Sequence, residues 1–402
     1  MTSNYFILLG LLFFLLGGTG CTPPVKKCTS IIIEDSDYFS TDQVLSDHCE
    51  GVDYIIKNGP VYDALDVDGN LVIEDGVTIQ FEAGGGLVIE DGASIKTKGS
   101  AAKGITLHGP DPTATGDWRG LIIYSGNASN SLQYTTIKGG GSTSFNSNGE
   151  KGNVIIYADA KVAIDHCTFQ NSKSYGINAN YYTNVELLSF TNNKFIGNET
   201  PLLVRADFVD KIDKNNSFEG NTNSYVHVRV GQEIRTSTTW QALDIPYRLT
   251  AKSGGIFPIQ EIDNSAELTL EPGMIFEFEA GTGLKIDDNA ALYAVGTAAK
   301  PILFKGSNST AGYWEGLYFS RTGNPLNQLT HVTIDGAGSK TTTGALAMWA
   351  RPTLRLNTVK ISNVSGGCSI YDSNGITAGL PSNPNYMAST VVFENVNSQY
   401  CD

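Results

Sequence analysis

The chain has 402 residues and a formal charge of −14, from 41 acidic against 27 basic side chains. That balance repels nucleic acid, and no basic cluster offsets it. Beyond solubility the acidic excess says little, but the length is enough for a sizeable core.

In chain order, the first feature is Tyr5 to Leu16, the apolar run YFILLGLLFFLL. At about a dozen residues it is too short to span a bilayer and suits the h-region of a signal peptide. Gly17-Gly18-Thr19-Gly20 then lead into Cys21. Small residues before a cysteine resemble the lipobox of bacterial lipoproteins, in which that cysteine is acylated and becomes the new N-terminus. The match departs at Gly18, where Leu is usual, and in MTSN, which carries no Lys or Arg. An ordinary signal peptide cleaved near Gly20 is the alternative. The lipobox resemblance implies a leader over 1–20 and a tether over 21–50. It also implies export to the outer membrane of a Gram-negative bacterium, held there by the lipid on Cys21. Thr22, rather than Asp, follows that cysteine.

An oxidising compartment permits disulfides. Cys28 with Cys49 would staple the N-terminal segment, and Cys368 with Cys401 would tie down the C-terminus. Cys167 lies between apolar positions in DHCTF and reads as a buried small hydrophobe. No spacing suggests zinc, and no metal or cofactor site is expected.

A repeat dominates the rest. Residues 81–109 and 278–306 are identical at 15 of 29 positions, at a constant offset of 197. The match extends upstream (71–81 with 268–278) and downstream, through Trp118-Arg-Gly-Leu121 with Trp314-Glu-Gly-Leu317 and 132–142 with 329–339. The expected units are 51–235 and 236–402.

Within the first unit, short runs alternate at period two: GLVIE (86–90), GLIIY (120–124), NVIIY (153–157), YGINA (175–179), PLLVR (201–205) and YVHVR (225–229). They recur every 22 to 34 residues between Gly, Asn, Ser and Thr, and each reads as a strand. Second strands lie between them, with Phe169, Phe195 and Phe218 at spacings of 26 and 23. No segment has a helical apolar stripe. Rungs of this length cannot bury an apolar side alone, so stacking them coaxially is the expected solution. Asn at the turns tolerates left-handed conformations and can bond to the Asn of the next rung. The predicted fold is an all-β, right-handed parallel β-helix of two tandem homologous units.

Leu268–Gly273, Gly283-Leu284, Gly296, Ile302–Phe304, Gly306 and Trp314–Leu317 carry a pattern that resembles the pectin-lyase-like right-handed β-helix superfamily. More narrowly, it is similar to secreted lipoproteins of that fold, whose activity is mostly unassigned. The likeness covers about residues 60–400 and speaks to fold more than function.

Alternation then divides the strand residues. Leu87, Ile89, Leu121, Ile123, Val154, Ile156, Leu202, Val204, Val226 and Val228 are expected to face inward. Outward lies a column of Val88 and Glu90, Ile122 and Tyr124, Ile155 and Tyr157, Asn178 and Asn180, Leu203 and Arg205, His227 and Arg229. Its second-unit equivalents are Lys285 and Asp287, Tyr318, Trp349 and Tyr371. Tyr124, Tyr157, Asn178, Asn180, Arg205, His227 and Arg229 in one line would suit a saccharide, aromatic faces packing on rings and Arg or Asn binding hydroxyls or carboxylates. The apolar Val88, Ile122, Ile155 and Leu203 point instead to a covering loop.

No catalytic residue is expected. The paired aspartates, Gly-His-Gly and Arg-Ile-Lys of the hydrolases that the fold resembles are absent from this sequence. Arg205, His227 or Arg229 could supply the base of a lyase, but no cluster of acids accompanies them. Asp66-Val-Asp68-Gly-Asn70 is similar to the start of a calcium loop, yet lacks the bidentate Glu at the needed spacing. The expectation is a surface module that binds polysaccharide or another envelope component without catalysis. A polysaccharide lyase or hydrolase, and an adhesive rod, are the alternatives.

Overall fold

A computed structural model describes residues 28–59, 63–179, 185–251, 259–339 and 343–402. They form an all-β parallel solenoid of about twelve turns. Two short 3-10 helices, Ser36–Phe39 and Ala206–Lys211, are the helical pieces among these residues.

In the first half each turn supplies three short strands to three parallel sheets. Sheet I stacks Ile31–Ile33, Tyr54–Ile56, Thr78–Phe81, Ile105–His108, Thr135–Lys138, Thr168–Gln170, Lys194–Ile196 and Ser217–Glu219, so the stretch expected as a tether joins the solenoid from Ile31 on, with Ile33, Phe39 and Leu45 in its core. Sheet II stacks Gln43–Leu45, Asn70–Glu74, Ser94–Lys98, Ser131–Gln133, Lys161–Asp165 and Glu186–Thr191. Sheet III runs from Ala64–Val67 through Gly86–Ile89, Gly120–Ile123, Gly152–Ile156, Tyr175–Ala179 and Thr200–Arg205 to Val226–Arg229. Every strand finds its backbone partners one turn away, so no turn stands alone.

The ten residues expected inward all lie in one continuous core. The Phe spacing equals one turn: the rings of Phe169, Phe195 and Phe218 stack at 5.2 and 5.3 Å. Buried Asn side chains ladder beside them. Asn198 Nδ2 donates to Asn221 Oδ1 (3.0 Å) and to the Phe169 carbonyl (2.9 Å), while its Oδ1 accepts from the Ser172 amide (3.0 Å). Corners between sheets II and I turn on single left-handed residues, Tyr134 (φ 45°), His166 (φ 57°) and Asn192 (φ 57°). The repeated Trp has a plain packing cause. Trp118 stacks on Phe81 at 4.3 Å and Trp314 on Phe278 at 4.1 Å. Each indole N–H also caps a carbonyl at 2.8 Å, that of Lys138 or of Asp335.

Strand pairing in sheet III runs on past the first unit. Val226–Arg229 pairs with Tyr247–Thr250, which pairs with Ile275–Phe278, which pairs with Ile302–Gly306. By the 197-residue offset, Ile275–Phe278 is the counterpart of Thr78–Phe81, a sheet I strand, yet it stacks in sheet III. The counterpart of Gly86–Ile89 is Gly283–Ile286, which opens a separate sheet IV with Ile259–Ile262, Gly316–Ser320, Leu346–Trp349, Ile370–Asp372 and Tyr400–Cys401. Repeated strands are thus displaced by one face. The outward line of the first unit therefore does not run on into Lys285, Tyr318, Trp349 and Tyr371, which lie on sheet IV. It runs on through Arg248, Glu277 and Lys305.

Both expected disulfides form: Cys28–Cys49 (Cα–Cα 5.4 Å) and Cys368–Cys401 (Cα–Cα 5.8 Å). Cys167 is a free, buried thiol that burial pushes up to about 12. The leader, the lipobox and Cys21 lie outside the described residues. No helix among the described residues is long and apolar enough to cross a membrane.

Candidate functional site

The outer face of sheet III holds the expected column in register: Val88, Ile122, Ile155, Asn178, Leu203 and His227 sit opposite one another on successive turns. Its first half is covered. A loop over residues 139–151 lays Phe145 on this face, and Ala64, Val88, Ile122, Phe145, Ile155 and Tyr157 form a second apolar cluster outside the barrel core. The cover is fixed at several points. Arg119 donates to the Ser144 carbonyl (2.5 Å) and lies 5.5 Å from the Phe145 ring centre. Gly86 lacks the Cβ that would come within 2.7 Å of Phe145 Cζ.

The cover buries two of the expected ligand groups. Tyr157 is buried, accepts a hydrogen bond from Asn148 Nδ2 (2.5 Å) and meets Tyr124 edge-on at 5.3 Å. Asn178 is buried and donates to Glu150 (2.5 Å). Asn180 lies outside the described residues. The physical reason is the apolar character of the outward residues: Ile122 and Ile155 on an outer face gain several kcal/mol if something shields them, roughly 1.5–3 kcal/mol each for full burial.

The second half of the column is cationic. Arg205 is held by both carboxylate oxygens of Asp207 and lies over the Phe208 ring at 4.8 Å. His227 is boxed in: Nδ1 faces the Tyr175 hydroxyl at 3.0 Å and Nε2 faces Thr250 Oγ1 at 2.5 Å. Desolvation, then Arg229 and Arg248, push its pKa down to about 3, so the ring is neutral at ordinary pH. Arg248 covers the Tyr225 ring at 3.7 Å and donates twice to Glu277 Oε2, at 2.8 and 2.6 Å. Glu277 also takes Lys305 at 3.2 Å.

Arg229 stands apart from these. It is half-buried between Arg205 on one turn and Thr250 on the next. Among the described residues it has no hydrogen bond or ion pair, and its Nε is buried without a partner. Burial of a donor without a partner costs about 1–3 kcal/mol, more for a charged group. Its neighbours cannot relieve it. His227 has both nitrogens engaged, Asp207 is committed to Arg205, and Glu277 lies beyond Arg248. Arg205 and Arg248 are thus neutralised by Asp207 and Glu277, and Asp335 follows opposite Lys305, which leaves Arg229 as the cation of this face without a bonded carboxylate among the described residues. The column supplies fixed positive charge and aromatic surface from Tyr175 and Tyr225. His227 does not offer a free base, since a neutral imidazole with both nitrogens bonded and so low a pKa has little proton affinity.

Tyr175, Tyr225 and Arg248 were not among the expected ligand residues. Tyr225 and Arg248 reach the site because Tyr247–Thr250 is the next strand of sheet III, a pairing that the offset repeat hides. YRLT does carry the alternation of VHVR, the one signal that could have placed it.

On sheet IV, Asp287 is buried and clamped by Lys285 (2.7 Å) and Arg321 (2.6 Å), which hold its carboxyl well below the usual range despite its burial. Farther along, Trp349 and Tyr371 lie side by side with ring centres 4.9 Å apart. Cys28, His48 and Cys49 are the one grouping of three metal-ligating side chains among the described residues. Their two sulfurs are bonded to each other, so neither is the thiolate that a soft metal takes.

A scan of protein-family models finds none that matches the chain, and searches of curated proteins and of solved structures return no match.

Proposed function

We propose that the protein is a cell-surface module that binds an acidic polysaccharide, without catalysis, on the outer face of sheet III between Arg205 and Arg248. In this reading Cys21 is lipidated and holds the chain at the outer membrane. The solenoid is right-handed, as in the pectin-lyase-like superfamily that the sequence resembles. The observation that carries the binding proposal is the Arg229 guanidinium, which has a buried, unpartnered Nε on a face that also presents Tyr175 and Tyr225. A carboxylate or sulfate would satisfy it, and a charge-assisted hydrogen bond of this kind contributes about 1.5–3 kcal/mol.

The occupied nitrogens of His227 weigh against the lyase alternative, because the group best placed to take a proton is already bonded. The test is a glycan-array screen of residues 22–402 beside Arg229→Ala and Tyr157→Ala variants. Acidic glycans should be retained by the parent protein and by Tyr157→Ala, whose ring is under the cover. They should be lost or weakened roughly tenfold to a hundredfold in Arg229→Ala, and binding should fall as salt rises. Silence across acidic glycans from a folded protein would discard this reading and favour the adhesive rod.

A further inference from the structure

The repeat places one pair of outer positions in two different settings. Tyr157 follows the strand Gly152–Ile156 and lies on the column of Tyr124; its counterpart on sheet IV is Trp349, opposite Ser320. Tyr157 is buried by the stretch 139–151, which contributes Phe145. The corresponding stretch of the second unit, 336–343, is five residues shorter and contains no aromatic residue. Trp349 is 38% exposed.

That exposure is unusual for this protein. The other three tryptophans, Trp118, Trp240 and Trp314, are fully buried. Trp349 is backed by Tyr371 on the next turn, their planes tilted by 39°, so the two rings brace each other while the indole faces out. The rim is polar. Arg351 Nε donates to Asn374 Oδ1 (3.3 Å), and Asp372 fixes Asn374 through both its amide (3.0 Å) and its side chain (2.8 Å). The guanidinium of Arg351 is exposed and has no other bond among the described residues, so its terminal N–H groups remain available. Ser320 and Ser373 complete the surround.

A rigid aromatic surface ringed by hydrogen-bond donors and hydroxyls matches one ligand chemistry well. The C–H face of a pyranose ring packs on the indole while its equatorial hydroxyls reach the rim. An apolar protein partner would instead need a wide apolar surround, which Arg351, Asn374, Ser320 and Ser373 deny. We propose that Trp349 and Tyr371 form a second saccharide site, for a neutral pyranosyl unit, on a different sheet from the Arg229 site. It relies on the saccharide reading above only for the ligand's general class.

The test uses the intrinsic fluorescence of residues 22–402, because Trp349 alone among the four indoles is open to solvent and to iodide. Neutral hexasaccharides of glucose, mannose and N-acetylglucosamine are titrated separately, beside an acidic hexagalacturonate and phospholipid vesicles. The proposal expects at least one neutral hexasaccharide to shift the emission to the blue, saturably, and to protect it from iodide. Tyr371→Ala, which keeps the reporter, should weaken that response roughly tenfold. Arg229→Ala should leave it unchanged. Trp349→Ala should abolish binding by calorimetry. No response to any neutral sugar, or a response to vesicles alone, would overturn it. Loss of acidic-glycan binding in Arg229→Ala with an intact Trp349 response would separate the two sites. The two readings can therefore fail independently.

Discussion

His227 gives the sharpest check on how the cationic column is built. Its ordinary pKa of 6.5 falls to about 3 in the folded chain, first through desolvation and then through Arg229 and Arg248. Between those two values the unfolded chain binds a proton that the folded chain refuses, so stability falls as pH drops from about 6.5 and the loss levels off near pH 3. The full difference corresponds to roughly 5 kcal/mol at 1.36 kcal/mol per unit. Down to pH 4, above the folded-state pKa, about 3 kcal/mol of this is expressed. His227→Gln removes the titration while keeping a polar side chain between Tyr175 and Thr250. Urea midpoints measured from pH 7 to pH 4 should fall more steeply for the parent than for His227→Gln, by that amount. His108, also depressed by burial, is common to both proteins and cancels. Arg229→Ala should raise the His227 pKa in NMR titrations by removing one repulsion, and a carboxylate bound at Arg229 should do the same. Parallel midpoints in the two proteins, or a His227 resonance that titrates near its ordinary value, would refute the boxed-in, neutral imidazole.

Three further outcomes follow from the packing. Asn198→Ala strands the Ser172 amide and the Phe169 carbonyl in the core, and at 1–3 kcal/mol for each unsatisfied group should cost about 3 kcal/mol in chemical denaturation. Phe145→Ala should cost about 2–3 kcal/mol, below the usual range for a core Phe because the cover is peripheral. It should also raise dye binding to the newly exposed Ile122 and Ile155. Cys401→Ser opens the 33-residue span closed by Cys368–Cys401. Chain entropy puts its loss near 3–4 kcal/mol, and hydrogen exchange should show it concentrated in Ile370–Asp372 and Tyr386–Val396.

The inward residues were legible because two constraints agree on them: β-branched side chains at period two, and a rung length that recurs. Phe169, Phe195 and Phe218 show this well, since spacings of 26 and 23 residues became one stacked column. The disulfides were legible because each joins a terminal segment to the adjacent turn. The covered half of the site was half legible. Outward Ile122 and Ile155 announced a lid, but Phe145 is a single aromatic in a stretch of Gly, Ser and Asn, with nothing to say where it lands. The displacement of the second unit was not legible. Alternation fixes which side of a strand faces the core, but not which sheet a strand joins. That is decided at the junction, where Val226–Arg229 takes Tyr247–Thr250 as its neighbour only 21 residues on.

The displacement has a consequence for the outer surface. Core positions of the two units remain interchangeable, as Phe81 with Phe278, Trp118 with Trp314 and Asn130 with Asn327 illustrate, because each faces the same inner packing wherever its sheet lies. Outer positions meet new neighbours. Gln80 and His108 of sheet I correspond to Glu277 and Lys305, which stack in sheet III directly beyond Arg248. An uncharged Gln there would leave Arg248 without the carboxylate that now holds it at 2.6 Å. The covered Tyr157 likewise corresponds to the open Trp349 on sheet IV. A straight polymer lying along one face can therefore reach the arginine column or the indole, but not both. A ligand that engages both must bend around the solenoid, or two chains must bind, and binding stoichiometry with a long acidic and a long neutral glycan added together distinguishes those cases.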